Sequence, residues 1–166
     1  MDTVAQWFAE HLGSFISPEI VVLIVSMLPL IELRGGILVA AVLEIPTWRA
    51  VIFCVIGNII PIPFILLFIK QIFAWLRPTK LFGPIVRKLE IRAMNKSDSI
   101  KKMEFIGLML FVGVPLPGTG AWTGALIAAL LEIDLKKASL SIFFGILIAA
   151  TIMTLLSYGV LANIIG

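Results

Sequence analysis

The chain has 166 residues, of which 60% are hydrophobic and 14% charged, with a formal net charge of +3 and a mean hydropathy of +1.12. Soluble domains use roughly 45–50% apolar and about 25% charged residues, so this composition excludes an ordinary soluble domain and indicates an integral membrane protein with several membrane segments. Cys54 is the single cysteine and His11 the single histidine. An intrachain disulfide, a cysteine-based metal site and a histidine-centred triad are therefore all unsupported.

Residues 1–16 form the first segment. Val4, Trp7, Phe8, Leu12 and Phe15 recur at helical spacing against Asp2, Gln6, Glu10 and His11, which predicts an interfacial amphipathic helix. The segment has neither a basic start nor a small-residue cleavage site, so a removable signal peptide is not expected. Ser17, Pro18 and Glu19 then read as an N-cap, a first-turn proline and a carboxylate at the positive end of a helix. That helix reaches only Leu28, a length of roughly 18 Å at 1.5 Å per residue, whereas a bilayer crossing needs about 30 Å.

The stretch Pro29-Leu30-Ile31-Glu32-Leu33-Arg34-Gly35-Gly36 follows. It places a carboxylate and a guanidinium two residues apart in an apolar run, where an unpaired charge costs several kcal/mol. With a proline before and two glycines after, it reads as the tip of a re-entrant helical hairpin whose return is Gly36 to Leu43. The Glu32 and Arg34 pair is either a structural ion pair that fixes the hairpin or part of a substrate and proton pathway.

Trp48 to Ile69 is long enough to cross, with Trp48, Arg49 and Lys70 as interfacial anchors. Its middle holds Gly57, Asn58, Pro61 and Pro63. The prolines remove the helical donors to the carbonyls of Gly57 and Ile59. Asn58 and Pro61 accordingly mark a kink that the asparagine repairs, or the wall of a polar cavity. Nine of the thirteen basic residues then fall between Lys70 and Lys102, which makes residues 77–103 a basic cytoplasmic amphipathic segment lying on anionic lipid. Positive-inside bias accounts for this charge, and nucleic acid is not an expected partner.

The remainder repeats the first part. At an offset of 88 positions, eleven of the thirty residues from Leu28 to Gly57 recur between Leu116 and Gly145, among them Pro29/Pro117, Gly36/Gly124, Glu44/Glu132 and Gly57/Gly145. This indicates an internal duplication. The second hairpin is then Glu104 to Val114, a tip at Pro115 to Gly120 and a return over Ala121 to Leu131, followed by a crossing at Ala138 to Val160. The units are 17–76 and 104–166. One crossing per unit makes the copies an inverted repeat; counting Pro18 to Leu43 as one broken span makes them parallel. The resulting fold class is an all-α integral membrane protein with two re-entrant hairpins, each followed by a transmembrane helix, and interfacial amphipathic helices. Thr119 is placed to cap the half-helix starting at Gly120, and Gly120, Gly124 and Ala128 form a small-residue seam. Candidate pathway residues are Glu32, Arg34, Gly35, Gly36, Asn58, Pro61, Pro117, Gly118, Thr119, Gly120 and Thr123.

Glu32-Leu33-Arg34-Gly35-Gly36-Ile37, Gly57-Asn58 with Pro61 and Pro63, and Pro115 through Ala125 resemble the family of small multidrug export proteins. That family is similar to the DedA proteins, which include the SNARE-associated Golgi and VTT-type membrane proteins. The resemblance runs from about Ile20 to Tyr158. It implies two facing re-entrant hairpins and drug efflux, and the DedA likeness implies proton-dependent movement of lipid carriers or phospholipids. The chain lacks the Gly-Arg-x-Pro-Gly-x-Arg tip of DedA proteins, having no arginine from Val114 to Trp122, so Arg34 is the intramembrane arginine to consider.

The expected function is a multi-pass transporter of the plasma or inner membrane, ion- or proton-coupled, moving a small amphiphilic or anionic substrate. A lipid or lipid-carrier phosphate translocase or scramblase and a non-transporting membrane scaffold are the alternatives. Paired carboxylates at catalytic spacing, metal clusters and nucleotide loops are missing from the sequence, so no enzyme activity, cofactor or metal is expected. Membrane lipids are partners in any case. Two crossings can scarcely shield two hairpins from lipid, and a homodimer is expected.

Overall fold

A computed structural model describes residues 17–95, 104–116 and 118–165. The expected interfacial helix over residues 1–16, the basic residues Lys96, Lys101 and Lys102, and Pro117 lie outside the described residues. The described residues are helical throughout their regular structure: α1 (Pro18–Met27), α2 (Glu32–Val42), α3 (Thr47–Ile59), α4 (Pro61–Leu76), α5 (Gly83–Asn95), α6 (Glu104–Gly113), α7 (Ala121–Leu130) and α8 (Leu135–Ile165).

The α1 helix starts where expected. Ser17 is extended, at φ −63° and ψ 149°, and its carbonyl accepts from the amides of Ile20 and Val21, while Pro18 occupies a position where no amide hydrogen is needed. It stops because Leu28 precedes Pro29. The proline ring disfavours helical geometry in the residue before it, and Leu28 turns to ψ 135°.

The tip differs from the reading of its glycines. The return helix α2 starts at Glu32, four residues before Gly36, and the turn is made by Leu28 to Ile31, with the Glu32 amide donating to the Leu28 carbonyl at 2.9 Å. Glu32 itself takes the left-handed conformation, φ +52°, which is uncommon for a non-glycine residue. Gly35 and Gly36 sit inside the helix, where they serve close packing and not the turn.

The two return helices end alike. Glu44 and Glu132, matched by the 88-residue offset, both have left-handed backbones, at φ +55° and +58°. The Ile45 amide donates to the Ala40 carbonyl and the Ile133 amide to the Ala128 carbonyl, each at 3.0 Å. This is the Schellman termination, usually built on glycine, with glutamate in both places.

The segments Thr47–Leu76 and Leu135–Gly159 are long and apolar enough to cross a bilayer, somewhat longer than the hydrophobic patterns alone indicate. Between α3 and α4 the chain passes Ile60 with helical dihedrals, φ −51° and ψ −47°, so the two prolines leave the course of the helix largely intact. The α8 helix is capped by Asp134, whose Oδ1 accepts from the Lys136 and Lys137 amides at 3.1 Å.

Each of these long helices lies against the short helix that leads into a tip. A Cβ added at Gly57 would fall 2.3 Å from the Leu23 carbonyl oxygen of α1, and one at Gly145 would fall 2.7 Å from the Met109 carbonyl oxygen of α6. Lipid tails are as apolar as leucine, so such helices associate through close packing over small residues. Around these contacts lies one core containing Val22, Leu33 and Ile37 of the first half with Leu108, Val112 and Ile142 of the second. The α5 helix is amphipathic, buries Val86, and is joined to the end of α4 by an Arg77–Glu90 ion pair.

Candidate functional site

The tips meet, and the charges of the first serve the backbone of the second. Glu32 Oε2 accepts from the Ala121 amide at 3.0 Å, and Oε1 accepts from the Trp122 amide at 3.1 Å. These are unpartnered donors at the start of α7, where the helix dipole favours an anion. Glu32 is only 5% exposed. Arg34 works at the other side of the same break. Its Nη1 donates to the Leu116 carbonyl at 2.7 Å, and Nη2 donates to the Val114 carbonyl at 3.1 Å and to Thr119 Oγ1 at 2.8 Å. The helix that ends at Gly113 thus has a cation at its negative end. In return, the Trp122 indole N–H donates to the Met27 carbonyl, at the end of α1, at 3.1 Å.

This geometry leaves out the ion-pair alternative and corrects the expectation for Thr119. Glu32 and Arg34 do not form an ion pair with each other: the ion pairs among the described residues are Glu19–Arg49, Lys70–Glu132 and Arg77–Glu90. Each charge instead caps a different helix end across the tip interface. Thr119 does not cap α7. Its hydroxyl accepts from Arg34 and lies within donating distance of the Leu116 carbonyl at 2.8 Å, so it holds the turn together while Glu32 takes the capping role.

Gly120 is required where it stands. Its φ is +136°, and a Cβ there would sit 2.1 Å from Glu32 Oε2, so any side chain would displace the carboxylate. Gly118, at φ +73°, joins Pro29, Leu30, Ile31, Glu32, Arg34 and Thr119 around a cavity of about 180 Å³. Gly124 packs against Val112 instead, which makes it part of a seam between α6 and α7. The bonds that join the tips among the described residues include neither Asn58 nor Thr123. Asn58 is buried in α3 at 3% exposure, and its Oδ1 has no hydrogen-bond partner there. Pro61 lines an apolar groove of about 670 Å³ together with Met27, Phe64, Phe68 and Trp122.

Trp122 and Met27 escaped the reading of the sequence. The available signal was an indole N–H in an apolar run, a donor that needs a partner when buried.

A family model described as "Putative small multi-drug export protein" matches residues 32–152. The chain belongs to this family. No curated protein and no solved structure matches it. The match begins at Glu32, just after the turn of the first tip, and takes in α2 to α7, the second tip and the first part of α8. With its two apolar helices of crossing length, the chain is a membrane protein of a family described by export.

Proposed function

We propose that this small multidrug export protein is a multi-pass, proton-coupled exporter of the plasma or inner membrane, with its substrate and coupling site at the junction of the two tips. The observation that carries the reading is the cross-capping of one helix break by Glu32 and Arg34 beside a cavity. Alternating access requires two structural units to part around a site near the midplane, and these bonds are the ones such a movement would break. Protonation of Glu32 would remove the negative charge that faces the start of α7 and weaken the junction from one side. Proton uptake is thereby tied to tip separation.

An arginine has five N–H donors and a carboxylate about four acceptor positions. The bonds to the second tip leave part of both sets for a ligand in the cavity. An amphiphilic or anionic molecule suits this arrangement, its charged end near Arg34 and its apolar body in the groove beyond Trp122. The hairpins are taken to enter from opposite faces as an inverted repeat. The matched terminations at Glu44 and Glu132 and the matched contacts at Gly57 and Gly145 support the duplication behind that reading. A homodimer accompanies it, covering the hairpins from lipid.

Flux in proteoliposomes across cationic drugs, lipid phosphates and inorganic ions, with and without a pH gradient, tests the proposal. Glu32→Gln should abolish gradient-driven flux and leave substrate binding intact, and Arg34→Gln should weaken binding of an anionic substrate. Undiminished gradient-driven flux in folded Glu32→Gln would overturn it.

A further inference from the structure

The far ends of the two return helices are each held by a long helix, in matching ways. Lys70 Nζ of α4 donates to Glu132 Oε1 at 2.7 Å, just past the end of α7. The Tyr158 hydroxyl of α8 donates to the Ile45 carbonyl at 2.8 Å, just past the end of α2. Lys70 and Tyr158 are related by the same 88-residue offset that relates Glu44 to Glu132. The near ends of these return helices form the tip junction, through Glu32 at the start of α2 and the Ala121 and Trp122 amides at the start of α7. Each return helix is thus a short rod of about 15 Å, anchored at one end in the junction and at the other by one of these contacts.

The long helices fix how far apart the two contacts stand. The α8 helix is continuous, begins at Leu135 just after Glu132, and reaches Tyr158 after about 23 residues, roughly 35 Å at 1.5 Å per residue. The stretch Thr47–Leu76 begins just after Ile45 and reaches Lys70 after about 23 residues as well. The contacts therefore lie at opposite ends of both long helices. Their separation is of the order of the hydrocarbon core of a bilayer, about 30 Å.

We infer that Lys70–Glu132 and Tyr158–Ile45 are closures of opposite membrane faces, each sealing one side of the tip junction and releasing when that side opens. The inference rests on the exporter reading, in which the junction is reached from the two faces in turn. Arg77, Lys80, Arg87 and Lys88 follow Lys70 in the chain, so positive-inside bias puts the ion pair on the cytoplasmic side and Tyr158 on the other. Both contacts suit a closure that breaks and re-forms. The ion-pair side chains are 46% exposed at Lys70 and 79% at Glu132, and exposed pairs hold weakly. The tyrosine hydroxyl makes one bond to a backbone oxygen. Releasing either contact frees the outer end of a return helix, and the rod transmits that freedom to the junction at its inner end. Lys70, Glu132 and Tyr158 are in this sense positioning residues.

Labelling from one face at a time tests the inference. In the full chain carrying Cys54→Ala, the substitution Ile31→Cys puts a single thiol at the wall of the tip cavity, and its reaction with a membrane-impermeant maleimide is timed in right-side-out and inside-out vesicles. Lys70→Met should speed labelling from the cytoplasmic face alone and Tyr158→Phe from the opposite face alone, each by about threefold to fivefold. The exchange of Lys70→Glu with Glu132→Lys should return the rate to that of the parent, a rescue that general loosening of the fold does not produce. Unchanged rates, faster labelling from the same face in both variants, or faster labelling from both faces in either one would overturn the inference, as would an exchange variant that labels like Lys70→Met. The assay contains neither substrate nor a pH gradient. It can therefore fail while gradient-driven flux still depends on Glu32, and it can succeed where that dependence is missing.

Discussion

The two tips occupy places matched by the 88-residue offset in the sequence and solve the problem of an interrupted helix in opposite ways. The first closes its own turn within Leu28 to Glu32 and carries charged side chains outward. The second has Gly120 where the first has Glu32 and Trp122 where it has Arg34, and it opens its backbone through Gly118 and Gly120. What one lacks in donors and acceptors the other supplies. A pair of identical tips would bury either two uncompensated sets of charges or two uncompensated helix breaks, so the difference between the tips is the condition for their contact.

Removing the charges breaks that complementarity most severely. Arg34→Met should destabilise by about 3–5 kcal/mol, because the Leu116 and Val114 carbonyls and the Thr119 hydroxyl all lose a charged donor at the end of α6. Since Glu32 and Arg34 cap different helix ends, the double change Glu32→Gln with Arg34→Met should show little recovery over Arg34→Met. Restoration to near the parent stability in chemical or thermal unfolding would show that the two charges act as a direct pair.

Gly120→Ala tests the receiving side. It introduces a Cβ into the carboxylate position and strains a left-handed backbone, an effect of about 2–4 kcal/mol. Combining it with Glu32→Ala, which clears the space, should cost less than the sum of the single changes in a double-mutant cycle. Strict additivity would place the strain elsewhere.

Trp122→Phe sharpens the comparison from the other direction, since it removes only the donor that the second tip gives to the first. The Met27 carbonyl loses its indole partner, for an expected loss of about 1 kcal/mol in unfolding free energy. A loss as large as that of Arg34→Met would reverse the assigned direction of support.

The smallest effect is expected at the edge of the second return helix, where Lys70 Nζ and Glu132 Oε1 stand 2.7 Å apart and exposed. The hydrogen bond and charge of Lys70 lower the Glu132 pKa from its ordinary 4.5. With the folded value depressed, the contribution is present above the unfolded pKa and fades as pH falls through the folded one. Stability measured downward from neutral pH should therefore show a slight loss below about pH 4.5 that Lys70→Met abolishes. The same slope in both proteins would assign it to other carboxylates.

Much of the architecture was legible from composition and spacing. The Ser17–Pro18 start, the stop before Pro29, the return at Ala121 and the two apolar helices all rest on local properties of proline, side-chain periodicity and uninterrupted hydrophobicity, although the first apolar helix runs on to Leu76 where an end at Ile69 was expected. Gly35 and Gly36 were misread because a glycine pair permits a turn without compelling one. Whether it bends or packs depends on what approaches it, here Ser26 and Cys54.

The sequence by itself determined that this is a helical membrane chain, where several of its helices start and stop, and that Glu32 and Arg34 are exceptional among its charges. It could not determine their partners, since those are backbone amides and carbonyls about 80 to 90 residues away, and a backbone group has the same chemistry under every residue name except proline. Only the tertiary structure decided that the charges cap the two sides of the opposite break, because helix-end amides and carbonyls become a binding surface only once folding has brought an end into reach.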